Sequence, residues 1–346
     1  VERVRLVYHG WMPGLHPSVE LALDAFRAAF ALGVVLAAAL SLMQSAATGA
    51  PRRTAAGALV LTGAALGAIC AADILVLVAC LEVGAAAAGL LVRGAGDADR
   101  GPAGMRIYGQ AAAAGAALLV TGAALAVAHG SAAGRVSFVL ADLVRADLPE
   151  AAQWWALAGV GTACALQLSV FPAHTGLDQA LRRTSRCEAA LLLGVWLPVG
   201  AYVLMGVWLP LAGGMLGKAA PVLLAVGSIG VLGSSLAALV EADPGARLGR
   251  LVAALGSLLF LAAAVPGVAS WSGATILAVC MGPTAAGVAL ASAPETGTGR
   301  CGAQPRTARS GAVPLVAALL AAAAPGSGLA AGLLLLVPAL ASRSPG

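Results

Sequence analysis

An all-α, polytopic membrane helix bundle is the fold class this sequence predicts, and three observations predict it. Of the 346 residues, 60% are hydrophobic and 10% charged, whereas an average soluble domain has about 45–50% apolar and about 25% charged residues. The apolar residues gather in runs that match the roughly 20 residues a spanning helix needs. The arginines fall in short loops between those runs. A water-soluble fold of this length needs more polar surface than the chain supplies. Disorder needs low hydrophobicity and high charge, and the mean hydropathy here is +0.93.

The spacing predicts spans near 22–44, 55–70, 74–92, 107–128, 153–173, 187–211, 221–240, 251–267 and 271–293. A last apolar region, 312–341, is interrupted at Pro325-Gly326-Ser327-Gly328. Each half is short for a crossing, so one discontinuous helix is expected there, giving about ten to eleven spans in all. Residues 1–21 read as an extracytoplasmic N-terminal segment and 22–341 as a single transmembrane domain. No soluble domain is expected, because the longest polar connection, 129–152, is too short for one. Glu2, Arg3, Arg5, His9 and Pro13 argue against a cleavable signal at the start.

The loops support this order. Loops 45–54, 93–106, 174–186, 241–250 and 294–311 alternate along the chain and carry thirteen arginines, against five basic residues on the opposite side. The excess marks the cytoplasmic face and places the N-terminus outside, in a cell (plasma) membrane. The formal net charge of +5 therefore reads as topology, and no nucleic-acid partner is expected. Six cysteines form no CxxC pair and read as small packing residues. Four scattered histidines give no ligand spacing, so no metal is expected. Neither a P-loop nor a GxGxxG after a strand is present, and no cofactor is expected. The 45 glycines suit close helix contact in lipid.

Ionisable residues at depth are the informative ones, since each costs roughly 2.5–3.5 kcal/mol on insertion scales. Glu82 lies near the middle of ILVLVACLEVGAAAAGLLV with no cation within one turn of its own helix. It reads as a proton-carrying carboxyl, or as a structural carboxyl hydrogen-bonded to a neighbouring helix. Asp73 sits between two spans, where helix capping is expected. Asp24 and Arg27 stand three apart at the entry of the first span, an interfacial pair. In the fifth span Pro172 breaks the helix and His174 follows. Broken helices at membrane depth line cavities or are covered by protein, so 167–178 is either a hydrated site with His174 as a proton relay or an ordinary helix end with an interfacial histidine.

At this point the chain resembles a known family, the antiporter-like subunits of respiratory NADH–quinone oxidoreductase (complex I), with relatives in Mrp antiporters and membrane-bound hydrogenases. Phe171-Pro172-Ala173-His174-Thr175 and Val199-Gly200-Ala201-Tyr202 resemble F-P-F-H-x and L-K-x-G-A-Y, without a gap. Trp11-Met12-Pro13-Gly14, Asp73-Ile74-Leu75 through Glu82, Glu241-Ala242-Asp243, Arg250-Leu251-Val252-Ala253, Met281-Gly282, Glu295-Thr296-Gly297-Thr298 and Ala324-Pro325-Gly326 resemble further family stretches in order, with the M-type subunit most similar. The resemblance implies a proton axis of one glutamate, two lysines and a further lysine or glutamate. Glu82 stands at the glutamate. Gln167 and Pro198 stand at the lysines, and Leu333 at the last position. Gln and Leu exchange no protons near neutral pH, so this axis is degenerate. Relative to the family, the first two helices and everything beyond the twelfth are missing.

Three functions follow as expectations. The leading one is a shortened, divergent antiporter-like membrane subunit of a proton-translocating NADH–quinone oxidoreductase-type complex. The redox centres would belong to partner membrane subunits of a complex I-like or hydrogenase-like assembly. The second is a non-conducting structural subunit of such a complex. The third is an unrelated secondary transporter, which the breaks at Pro172 and Pro325 would also suit.

Overall fold

The computed structural model of the protein describes residues 4–9, 18–94, 100–146, 148–265 and 267–292, together with 332 and 335. Seven apolar stretches among them are long enough to cross a membrane. The bundle opens on a hairpin of β1 (Val4–His9) and β2 (Ser18–Leu23), paired antiparallel with Leu6 opposite Leu21. Four helices follow: α1 (Ala25–Ala47), α2 (Arg52–Cys70), α3 (Ile74–Arg93) and α4 (Gly101–Ala133). A short α5 (Leu140–Arg145) precedes α6 (Glu150–Trp155), which continues through a π turn into α7 (Gly161–Gln167). After α8 (Thr175–Leu181), an interrupted rod contains α9 (Arg186–Leu191), α10 (Leu197–Tyr202) and α11 (Leu209–Ala212). Then come α12 (Leu216–Val240), α13 (Pro244–Ala263) and α14 (Val268–Ser292).

The expected spans up to residue 293 coincide with helical stretches, and their ends follow from local chemistry. Asp73 caps α3, accepting from the amides of Leu75 at 2.7 Å and Val76 at 3.4 Å. Asp243 caps α13, accepting from Ala246 N–H at 2.8 Å. The rod α9–α11 has π turns at Leu192–Trp196 and Val203–Trp208, each ending two residues before a proline, Pro198 or Pro210. A proline has no N–H to donate, and its ring collides with the carbonyl four residues back. A widened turn relieves both faults. The residues four back are Gly194 and Gly206, which add no side chain to the crowding.

Two boundaries need correction. The fifth span, expected to run to 173 and to break at Pro172, already ends at Gln167. The expected first span begins at residue 22, but β2 runs to Leu23 and the helix begins at Ala25. Asp24 ends the strand by accepting from Arg27 N–H at 3.0 Å, and the Arg27 guanidinium reaches across to the Tyr202 hydroxyl at 2.9 Å. The hairpin was not expected. Its alternation is hidden because Val4, Leu6 and Tyr8 face Leu23, Leu21 and Val19 on one apolar side, and Leu21–Leu23 also read as the start of an apolar run. The region 312–341, with the Pro325 break and Leu333, lies outside the described residues.

The core forms where α1, α2 and α14 pack around α9 and α10, with α3 against the π turn between them and α4 against α3 and α7. Within it, Phe30, Leu61, Leu77, Leu118 and Tyr202 are fully buried. α12 and α13 pack as a pair against its flank.

Candidate proton-transfer site

α7 ends at Gln167, five residues before Pro172. Leu168 to His174 form an irregular turn. Ser169 takes a left-handed φ of 53° and the Phe171–Pro172 bond is cis. The turn lies deep along its neighbours. The Leu168 carbonyl stands 3.1 Å from where a β-carbon on Gly256 would sit, and Gly256 is near the middle of α13. α8 then resumes at Thr175, after His174.

Sequence reasoning places Gln167 and His174 together, and the structure gives them different surroundings. Gln167 is buried, and neither its amide nitrogen nor its amide oxygen has a hydrogen-bond partner among the described residues. It lines a small cavity with Gln110, Ser169, Trp196 and Leu197. Gln110, on α4, holds the broken end of α7. Its amide donates to the Leu166 carbonyl at 2.6 Å and to the Ser169 hydroxyl at 3.0 Å. Gln110 was missed in the sequence, because an uncharged amide barely disturbs the hydropathy of the alanine-rich run around it. His174 stacks on Phe171 with ring centroids 5.4 Å apart, and its Nδ1 is buried without a hydrogen-bond partner among the described residues.

Glu82 occupies the ninth position of the 20-residue α3. At 1.5 Å per residue it lies about 12 Å from one end of the helix and about 16 Å from the other, too deep for its side chain to reach either end. It is half-buried and makes no hydrogen bond or ion pair with the described residues. Its Oε1 lies against the α-carbon of Gly115 on α4, where a β-carbon would overlap it. No hydrogen bond joins Glu82 to the Gln167 cavity. Two residues on, Gly84 faces the Trp196 ring, so Trp196 separates α3 from that cavity.

Pro198 is buried in α10, and its ring fills the space beside Gly282 of α14. The position is closed by apolar packing. Leu333 and Pro325 lie outside the described residues.

A cluster of charges that the sequence did not reveal ties α8 to the junction of α12 and α13. Arg250 donates to Asp178 Oδ2 at 3.2 Å, to Glu241 Oε2 at 2.7 Å and to the Ala237 carbonyl at 2.6 Å. Arg182 shares Glu241 Oε2 at 2.6 Å. Burial raises the Glu241 carboxyl, but the Asp243 amide and the guanidiniums of Arg182 and Arg250 outweigh it, leaving the group below the usual carboxylate range. No group of three or more His, Cys, Asp or Glu residues fit to hold a metal occurs among the described residues.

The family profile described as NADH:quinone oxidoreductase/Mrp antiporter, transmembrane, matches residues 71–292, from the turn before α3 to the end of α14. The chain belongs to this family. Chain 4 3 of the NAD(P)H-quinone oxidoreductase of Trichormus variabilis is 28% identical over 285 residues, covering 81% of this chain and 51% of that protein. The chain thus spans about half the length of the curated relatives it matches. Its fold is that of a chain of respiratory complex I from Thermus thermophilus, with a TM-score of 0.81 at 23% identity, covering 98% of this chain and 73% of that one. A chain of the membrane-bound sulfane sulfur reductase, an archaeal respiratory membrane complex, is similar at a TM-score of 0.79 and 17% identity, covering 99% and 58%. Membership in the antiporter family replaces the expectation of an unrelated secondary transporter.

Proposed function

We propose that the chain is an antiporter-like membrane subunit of an NADH–quinone oxidoreductase-type complex, with redox chemistry in partner subunits and a degenerate proton axis in this one. The observation that carries this reading is the family match, which runs through every helix from α3 to α14. Glu82 is the proton-exchanging group in this reading. A carboxyl at membrane depth without an ion partner is costly, and such residues commonly mark proton or ion pathways. His174, beside the break in the fifth span, is the second relay candidate. The excess of arginines in alternate loops supports a plasma-membrane chain with its N-terminus outside.

A second reading, a subunit that no longer conducts, is favoured by one observation. Pro198 packs against Gly282 where the family resemblance implies a lysine. Glu82→Gln in the assembled complex, reconstituted in vesicles, separates the two. Conduction through this chain predicts lost proton uptake with assembly intact. A structural role predicts unchanged uptake, or loss of assembly.

A further inference from the structure

A cleft of about 480 Å³ opens between α2 and α3, away from Gln167 and from the charge cluster. Its walls are apolar, with Val60, Val83 and Leu90 each at least half exposed and the small residues Gly57 and Ala86 between them. Among the described residues, the charged side chains lining it are Arg53 and Glu188, near the ends of α2 and α3 that carry Arg52 and Arg93. Glu188 is already satisfied by the Arg100 guanidinium and by the Ser185 amide at 2.8 Å. Arg53 is exposed and makes no hydrogen bond or ion pair with the described residues. Among the described residues, Arg53 is therefore the charge lining this apolar slot that has no ionic partner.

The depth of the slot suggests what fills it. From Gly94 at the mouth to Val83 is eleven residues, about 16 Å at 1.5 Å per residue. That is about half of a hydrocarbon core of roughly 30 Å, the reach of one leaflet. A neighbouring helix, about 10 Å across, covers such a slot without entering it, whereas one acyl chain enters. We propose that this cleft binds an anionic phospholipid, its acyl chain between α2 and α3 and its phosphodiester on Arg53.

The test uses the full chain reconstituted in bilayers with phosphatidylglycerol or phosphatidylcholine carrying a diazirine on one acyl chain. Photo-adducts are mapped by mass spectrometry. Adducts on residues 56–60 and 83–90 are expected from phosphatidylglycerol at about fivefold the yield from phosphatidylcholine, the gain of one basic residue at an anionic surface. Arg53→Gln should level the two lipids. Ala86→Phe should remove the adducts of both, and Ala56→Phe serves the same end if that variant does not fold. Equal yields from the two lipids in the unaltered protein would overturn the proposal. A phosphatidylglycerol excess that survives Arg53→Gln would do so too. So would loss of the phosphatidylglycerol adducts in the assembled complex, where a partner protein would then cover the slot.

Discussion

Glu82 of α3 presents a carboxylate oxygen to Gly115 of α4, so close that no β-carbon fits between them. The fit explains how a lone carboxyl is held in the seam of two apolar helices. The smallest residue gives it room, and the backbone of α4 flanks it. It also ties the position of the acid to the spacing of the helices.

Gly115→Ala should therefore displace Glu82. The atom in the way is the end of a flexible side chain, which swings aside at small cost, and alanine exceeds glycine in a helix by roughly 1 kcal/mol. A Tm in detergent equal to or slightly above that of the unaltered protein is expected. A fall in Tm, recovered in Gly115→Ala combined with Glu82→Ala, would show instead that the carboxyl is fixed and the seam overpacked.

Gln167 leads to a larger expected gain. Both of its amide atoms are buried without hydrogen-bond partners among the described residues, and such a group costs about 1–3 kcal/mol. Gln167→Leu, close in volume, should raise stability by about that amount, read as a higher Tm. A lower Tm would mean that the amide is bonded to a buried water in the cavity it shares with Gln110 and Ser169.

The contrast between these two residues shows what the sequence makes legible. The helices were readable because membrane spans are written in long apolar runs. Glu82 stood out because charge in such a run is rare. Gln110 was not readable, because an uncharged amide disturbs hydropathy little and its bonds to Leu166 and Ser169 lie more than fifty residues away. Asp178, Glu241 and Arg250 were visible one by one in loops, but their meeting depends on the return of the chain through α12 and α13. The hairpin was missed because three of its residues, Leu21–Leu23, are as apolar as the span that follows.

Two carboxyls outside the spans should give opposite pH responses. In the turn between α2 and α3, burial pushes Asp73 above the usual carboxylate range, opposed by the amides of Leu75 and Val76. Its contribution is present at low pH and is lost as pH rises through the folded-state value. Glu241, held below that range, contributes fully at higher pH, and its share is lost as pH falls through the folded-state value. Tm measured between about pH 4 and about pH 7, across and above the carboxylate range, checks both. Asp73→Asn, which can still cap, should reduce the loss on the alkaline side. Glu241→Gln should lower Tm near neutrality and converge on the unaltered protein in acid. Parallel curves for all three proteins would contradict these assignments.

Arg250 is the pivot of the buried charge cluster. Removing it leaves Asp178 without its described ionic partner and Glu241 with Arg182 alone. Taking one member from a buried pair costs about 3–5 kcal/mol, because the remaining charge stays in a poor solvent. An exposed pair would cost at most about 1 kcal/mol. Arg250 and Asp178 are 19% and 9% exposed at their side chains, which places this pair near the buried limit. Arg250→Ala should therefore lower Tm steeply. It should also free α8 from α13, read as faster hydrogen exchange at the amides of 175–181. Arg250→Lys should restore only part of the stability, since a lysine cannot engage Asp178, Glu241 and the Ala237 carbonyl with one planar fork. If alanine and lysine variants melt together, the cluster acts through the geometry of the guanidinium. If lysine matches arginine, charge alone suffices, and the three-way contact adds nothing to the hold of α8 on α13.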